Sequence, residues 1–219
     1  MHSIIREYCS EEWQTFVRFH SRKISFGVGQ NIFNIGDPTE GLYFISSGKI
    51  KIQTSGVNNT ERIIRLAADG DIFGHRGFGG TWEYSISATT LTPTDVVFVP
   101  IKIFNQTVKA NSKFGFYMMM FFAEELRDSE RLAKNLPVKN LVASALYTNY
   151  KVFGLENKKS TKLSYTLSRK DIANKSGTTY ESAVRSLAEL NKDGVIKIDG
   201  KAIHILDVER LKQMSTHAS

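Results

Sequence analysis

The residues most suited to chemistry lie between Leu167 and Leu190, read as LSRKDIANKSGTTYESAVRSLAEL. Val184 follows Tyr180 by four and Glu181 by three, and Arg185 follows Glu181 by four, so a helix carries all four on one face. A guanidinium can donate two hydrogen bonds to a guanine edge, and a carboxylate can accept one from cytosine. Glu181 and Arg185 therefore have the equipment to read a G·C pair, each contact worth about 1–3 kcal/mol of discrimination. The hydroxyls of Thr178, Thr179 and Ser182 suit phosphate oxygens. Ser168, Arg169, Lys170 and Lys201 complete the candidate DNA-binding set. The plain alternative is a helical hairpin in which Glu181 and Arg185 form a weak i,i+4 pair, worth about 0.3–0.5 kcal/mol.

The elements around these residues favour DNA reading. Ser168 can cap a helix start, with Asp171 three residues on in place of the usual Glu. That helix is expected to end near Lys175, with Gly177 supplying a tight turn. Thr178 or Thr179 then caps the second helix. Ile172, Ala173, Ala183, Leu187 and Leu190 form the predicted small core. After it, Ile196 to Ile205 alternates on both sides of Asp199-Gly200, a strong two-residue hairpin signal. A helix-turn-helix followed by a wing is the expected arrangement.

Charge points the same way. The chain carries 29 Lys+Arg against 22 Asp+Glu, a net of +7 over 219 residues. Met1 to Pro137 holds 15 against 14, whereas Val138 to Ser219 holds 14 against 8. A near-neutral front and a basic back place any polyanion at the back. Other classes recede. Cys9 is the single cysteine, so an internal disulfide and a four-cysteine cluster are excluded and a reducing compartment is expected. The longest apolar patch, Phe114 to Ala123, is about half of what a membrane helix needs, and Met1 to Ser10 lacks the apolar run of a secretory leader. A cytoplasmic location with no membrane partner is the expectation. His2, His20, His75, His204 and His217 show no metal-ligand spacing, and phosphate-loop and nucleophile-elbow motifs are lacking, so neither a cupin-like metal enzyme nor any other enzyme is expected, and no metal or cofactor.

Three parts follow from the patterning, and the fold class is α+β. Residues 1–111 are predicted to form a jelly-roll β domain. Glycines punctuate short apolar runs such as Leu42–Ile45, Lys49–Ile52 and Val96–Val99. Residues 112–137 read as one long helix. Met119, Phe122, Leu126, Ser129, Ala133 and Leu136 recur at steps of three and four, a seam of the kind that pairs two helices across a homodimer. Residues 138–219 hold the helix-turn-helix and its wing.

With these parts in order, the chain resembles a Crp/Fnr-family transcription regulator from about Ile24 to Ile205. The front matches through Gly36-Asp37-Pro38-Thr39-Glu40-Gly41-Leu42-Tyr43-Phe44-Ile45-Ser46-Ser47-Gly48-Lys49-Ile50 and Gly70-Asp71-Ile72-Phe73-Gly74, the glycine-punctuated start of a cyclic-nucleotide-binding-type roll. The long helix matches the family's dimerisation helix, and Glu181 and Arg185 match its G·C-reading pair. The resemblance implies a homodimer that reads an inverted-repeat operator in double-stranded DNA and meets RNA polymerase. It also implies a small-molecule effector near Phe73, Gly74, His75, Arg76, Tyr84, Ser85, Ser87, Ser129 and Glu130, which would repack the roll on the long helix and rotate the DNA-binding domains.

Departures from the family narrow the expectation. Cyclic-nucleotide binders place a Glu after the glycine aligned with Gly74, and an Arg before a Ser-Ala or Thr-Ala pair. This chain has His75 and Arg76 after that glycine, and Ile86 before Ser87-Ala88. Without a buried cation an anionic phosphate loses most of its binding energy, so cyclic AMP is not the expected effector. The family's haem-sensing branch uses a His near this turn, and His75 is the residue to compare, although a structural histidine is the commoner case. Tyr180 stands where the family often has an Arg, so the outer bases of the half-site are expected to differ.

Overall fold

A computed structural model describes residues 3–55, 61–131 and 136–216. Two helices come first, α1 (Ser3–Tyr8) and α2 (Glu11–His20). Eight strands follow: β1 (Arg22–Phe26), β2 (Asn31–Phe33), β3 (Gly41–Ser47), β4 (Lys49–Ser55), β5 (Glu61–Ala68), β6 (Ile72–Phe73), β7 (Ser87–Thr90) and β8 (Thr94–Pro100). They form two four-stranded sheets in the orders β1-β8-β3-β6 and β2-β7-β4-β5. This is the predicted jelly roll, and the strand runs read from the sequence fall on β3, β4 and β8.

Alternation sets the core of the roll. Along β4, and along β8 from Thr94 to Phe98, the buried positions recur every second residue, as a strand with one face inward requires. Register is held by antiparallel pairs such as Leu42↔Val99 and Phe44↔Val97. The interior is filled with rings. Phe33 stacks on Tyr84 at 3.8 Å between centroids and lies 6.0 Å from Phe73, which in turn stacks on Tyr43 at 5.0 Å. Gly77 is required at its place for space, because a Cβ there would collide with Thr39 Oγ1 and the Tyr84 ring.

Helices α3 (Ile101–Ala110) and α4 (Ser112–Arg131) come next. Phe114 and Met118 on α4 are buried with Phe104, Ile103, Val99, Ile5 and Val17 in one apolar cluster. The opposite face of α4 is exposed: Phe116, Met119, Met120, Phe122 and Leu126 all stand open in the single chain. Two predicted seam residues need correction or fall outside. Leu136 is not helical, because Pro137 follows it and disfavours the α conformation in the residue before. Ala133 lies outside the described residues.

The rest is α5 (Val138–Phe153), α6 (Arg169–Ser176), α7 (Tyr180–Lys192), the hairpin β9 (Ile196–Asp199) and β10 (Ala202–Ile205), and α8 (Val208–Thr216). The chain divides into two units. One holds Met1–Ile52 and Ala67–Lys134, the other Gln53–Leu66 and Asn135–Ser219. No helix among the described residues is long and apolar enough to cross a membrane.

Candidate functional site

The start of α6 is placed by a buried amide. Asn149 on α5 is fully buried; its Nδ2 donates to the Tyr165 carbonyl at 2.8 Å and its Oδ1 accepts from the Leu167 N–H at 3.2 Å. Both groups of one side chain are thus spent on the segment that delivers Ser168. Sequence reasoning passed over Asn149, since a polar residue inside an apolar helix carries no local sign of its partner.

Ser168 caps α6 as expected: its Oγ accepts from the Asp171 N–H at 3.0 Å and donates to Asp171 Oδ2 at 2.6 Å. Gly177 closes the helix at φ 64°, in the left-handed region that favours glycine, and its N–H returns to the Ala173 carbonyl. Of the two candidate threonines, Thr179 caps α7, accepting from the Ser182 N–H at 3.2 Å. Ile172, Ala173, Ala183, Leu187 and Leu190 are buried as predicted. Ser176 is buried too, and the chain tolerates it by donating its hydroxyl to the Ile172 carbonyl at 2.7 Å.

The wing turns one residue later than the sequence suggests. Asp199 pairs with Ala202, so Gly200 and Lys201 are the central residues instead of Asp199-Gly200. Gly200 sits at φ 55°, the position that a type II′ turn reserves for glycine. Arg169 Nη2 reaches the Gly200 carbonyl at 3.4 Å and ties the start of α6 to the wing. Burial pulls that guanidinium below its usual pKa, and Tyr180 partly restores it. A cavity of about 550 Å³ lies here, lined by Ser168, Arg169, Lys170, Tyr180 and Lys201 among others.

The predicted reading face is open. Tyr180, Glu181, Val184 and Arg185 are exposed on α7, as are Ser168, Lys170, Thr179 and Lys201, while Arg169, Thr178 and Ser182 are half-buried. Among the described residues neither Glu181 nor Arg185 forms an ion pair, so both heads are available. Lys170 Nζ lies 3.8 Å from Glu61, and Lys175 Nζ donates to the Ile64 carbonyl at 3.0 Å within the same unit. Burial, and then the charge of Arg62, pushes the Lys175 ammonium down to about 8.

In the first unit the residues predicted around an effector separate. Gly74, at φ 94°, opens a 3-10 turn over His75–Gly77. Arg76 Nη2 donates to Glu125 Oε2 on α4 at 3.1 Å, and His75 Nε2 lies 3.7 Å from the same oxygen, an ion pair when the imidazole is protonated. The His75 ring also meets Phe121 and Phe122. A cavity of about 430 Å³ is lined by His75, Arg76, Phe78, Phe122, Glu125 and Leu126. Phe73 and Tyr84 belong to the packed interior of the roll instead; the Tyr84 hydroxyl donates to the Gly41 carbonyl at 3.2 Å, and burial raises its pKa far above the usual tyrosine value. Ser85 is exposed, and Ser87 Oγ accepts from the Ile35 N–H at 3.1 Å. Ser129 and Glu130 are on α4, with side chains outside the described residues. Glu125 was not anticipated. It lies four residues before Ser129, on the same helical face one turn earlier, so only the placement of α4 against the turn identifies it. Among the described residues there is no group of three His, Cys, Asp or Glu that could hold a metal ion.

A roll of this topology and a winged helix-turn-helix with an open, capped recognition helix define a DNA-binding regulator with a sensor-type domain. Comparison with known families agrees in both halves: residues 23–111 match the cyclic nucleotide-binding domain, and residues 142–214 match the Crp-like helix-turn-helix domain. The chain is 28% identical over 200 residues to Electron transport regulator A of Shewanella oneidensis, covering 90% of this chain and 80% of that protein. It is 26% identical over 191 residues to a CRP-like cAMP-activated global transcriptional regulator of Mycobacterium tuberculosis, covering 86% and 85%. In structure it is similar to FixK2 from Bradyrhizobium japonicum, with a TM-score of 0.78 at 20% identity over 91% of this chain and 99% of that one. The chain belongs to the Crp/Fnr family of transcription regulators.

Proposed function

We propose that the protein is a homodimeric, sequence-specific regulator, not an enzyme, that acts in the cytoplasm and reads an inverted repeat in double-stranded DNA. The observation that carries the reading is the pair Glu181 and Arg185, exposed side by side on a helix whose start is pinned by the Thr179 cap. A G·C pair in each half-site suits that donor and acceptor. Met119, Phe122 and Leu126 form an exposed apolar row at steps of three and four, which a second copy of α4 would cover. Two recognition helices then lie about 34 Å apart, one DNA turn.

Regulation acts through the cavity beside His75 and Arg76. An effector there competes for Glu125 and shifts the population of α4 arrangements. Cyclic AMP is not the effector in this reading: Ile86 is buried where a phosphate-holding Arg is needed, and Phe33, Tyr84, Phe73 and Tyr43 occupy the roll's interior. Contact with RNA polymerase at a promoter completes the proposal.

The test is selection of bound sequences from a random duplex library by the full chain, with the affinity of the selected duplexes followed against salt. An inverted repeat with a G·C pair in each half, and affinity that falls steeply as salt rises, is the expected result. No selected motif with cell extract present, or a flat salt dependence, overturns it.

A further inference from the structure

The ends of β4 and β5 belong to the second unit, and β5 is seated on the first helix of the helix-turn-helix. The Ile64 carbonyl accepts from Lys175 Nζ at 3.0 Å. The Arg62 guanidinium stands beside Gly177, where a Cβ would lie 3.8 Å from its Nε. Glu61, at the start of β5, turns its carboxylate to the outer face of α6. Its Oε2 accepts from Asn174 Nδ2 at 3.4 Å and lies 3.8 Å from Lys170 Nζ. Its Oε1 accepts from Gln53 Nε2 on β4 at 3.3 Å, which fixes the direction of the carboxylate. Lys170 and Asn174 lie one helical turn apart and so share a face of α6.

Lys170 follows Ser168 and Arg169 in the candidate DNA-binding set at the start of α6. A carboxylate oxygen offers an ammonium or an amide N–H the same acceptor chemistry as a phosphate oxygen. Glu61 therefore holds, in the free chain, groups that a DNA strand would take. We infer that Glu61 is an internal competitor of DNA, an autoinhibitory contact that a backbone phosphate must displace from Lys170. The inference rests on the reading of the second unit as a DNA binder and adds a device that sets its affinity. The Lys170 and Glu61 side chains remain 74% and 47% exposed, and exposed ion pairs are weak, so the contact tunes binding without abolishing it. Its removal is worth about three-fold in affinity per half-site, and about ten-fold when both half-sites gain it. Ion release changes as well. A phosphate that meets an unpaired Lys170 releases a counterion, whereas one that displaces Glu61 leaves a carboxylate that takes a cation back.

The test compares Glu61→Gln, Lys170→Gln and the double substitution with the natural chain, on the selected operator duplex and on an unrelated duplex, across a salt series. Glu61→Gln should bind both duplexes about ten-fold more tightly at low salt, and the fall of log affinity with log salt should steepen by about one per half-site. In the Lys170→Gln background the same change should have no effect, because the group competed for is gone. Without DNA, acetic anhydride should acetylate Lys170 faster in Glu61→Gln than in the natural chain, as read by peptide mass spectrometry. Gln keeps the size of Glu at an exposed position, and equal melting temperatures confirm that folding is unchanged. Unchanged or weaker DNA binding by Glu61→Gln overturns the inference, as does equal acetylation of Lys170. So does an equal gain with and without Lys170, the mark of net charge alone. Failure to select a motif, with Glu61→Gln still tighter on the unrelated duplex, overturns the base reading and leaves this inference standing. Failure to bind any duplex overturns both.

Discussion

The interior of the β-roll and the reading face of α7 treat the same kinds of residue in opposite ways. In the roll, the Tyr84 hydroxyl is spent on the Gly41 carbonyl and its ring on Phe33. On α7 the polar heads of Glu181 and Arg185 are left open, and the backbone beneath them is held by caps that use other side chains. A buried hydroxyl left unpaired is costly, so Tyr84 spends its own, whereas exposed heads on a surface suited to a polyanion stay hydrated.

The sharpest way to break this comparison is at the surface that neither region covers. Leu126→Glu places charge in the exposed row of α4, and the mass measured by light scattering should fall from dimer to monomer; an unchanged mass would refute the pairing of these helices. Tyr84→Ala should destabilise the first unit by about 3–5 kcal/mol in chemical denaturation, as removal of a large buried ring does, with the selected DNA motif unaltered. Arg185→Ala should do the reverse, leaving stability alone and costing about 1–3 kcal/mol at one base pair of the operator; an equal loss on all sequences would argue against base reading. Thr179→Ala removes the cap of α7 and should lower stability by about 1 kcal/mol, with Thr179→Ser restoring it.

The smallest effect concerns Cys9. Burial pushes its thiol up to about 11 from an ordinary value of 9.0. The unfolded chain then loses this proton first, so stability is unaffected below pH 9 and declines as pH rises from about 9 to 11. Cys9→Ala should abolish that part of the decline. Alkylation at pH 8 should be slow in the native chain and fast once it is denatured.

The second unit was far more legible in the sequence than the effector region, and particular residues show why. Ser168, Gly177 and Thr179 act on backbone within a few positions of themselves, so their roles can be read from spacing. The wing was displaced by one residue because Asp199-Gly200 and Gly200-Lys201 both satisfy a two-residue turn, and the pairing of Ile203 with Ile198 decided between them. Tyr84 was expected beside His75, but its place is set by backbone pairing with Gly36 and Asp37 and by Phe33, none of them its sequence neighbours. Glu125 comes from a helix 49 residues beyond Arg76, and no local pattern links the two.

By itself, then, the sequence determined the order of the parts, the capped recognition helix with Glu181 and Arg185 on one face, and the basic character of the half that carries it. These follow from helical and strand periods and from short-range hydrogen bonds, which adjacent residues control. Tertiary structure alone decided which polar groups are spent and which are open: Asn149 pinning Tyr165 and Leu167, Tyr84 donating to the Gly41 carbonyl, Glu125 meeting His75 and Arg76, and Glu181 and Arg185 left exposed. Burial and pairing depend on what distant segments bring to the same place, and that is fixed only when the chain has packed.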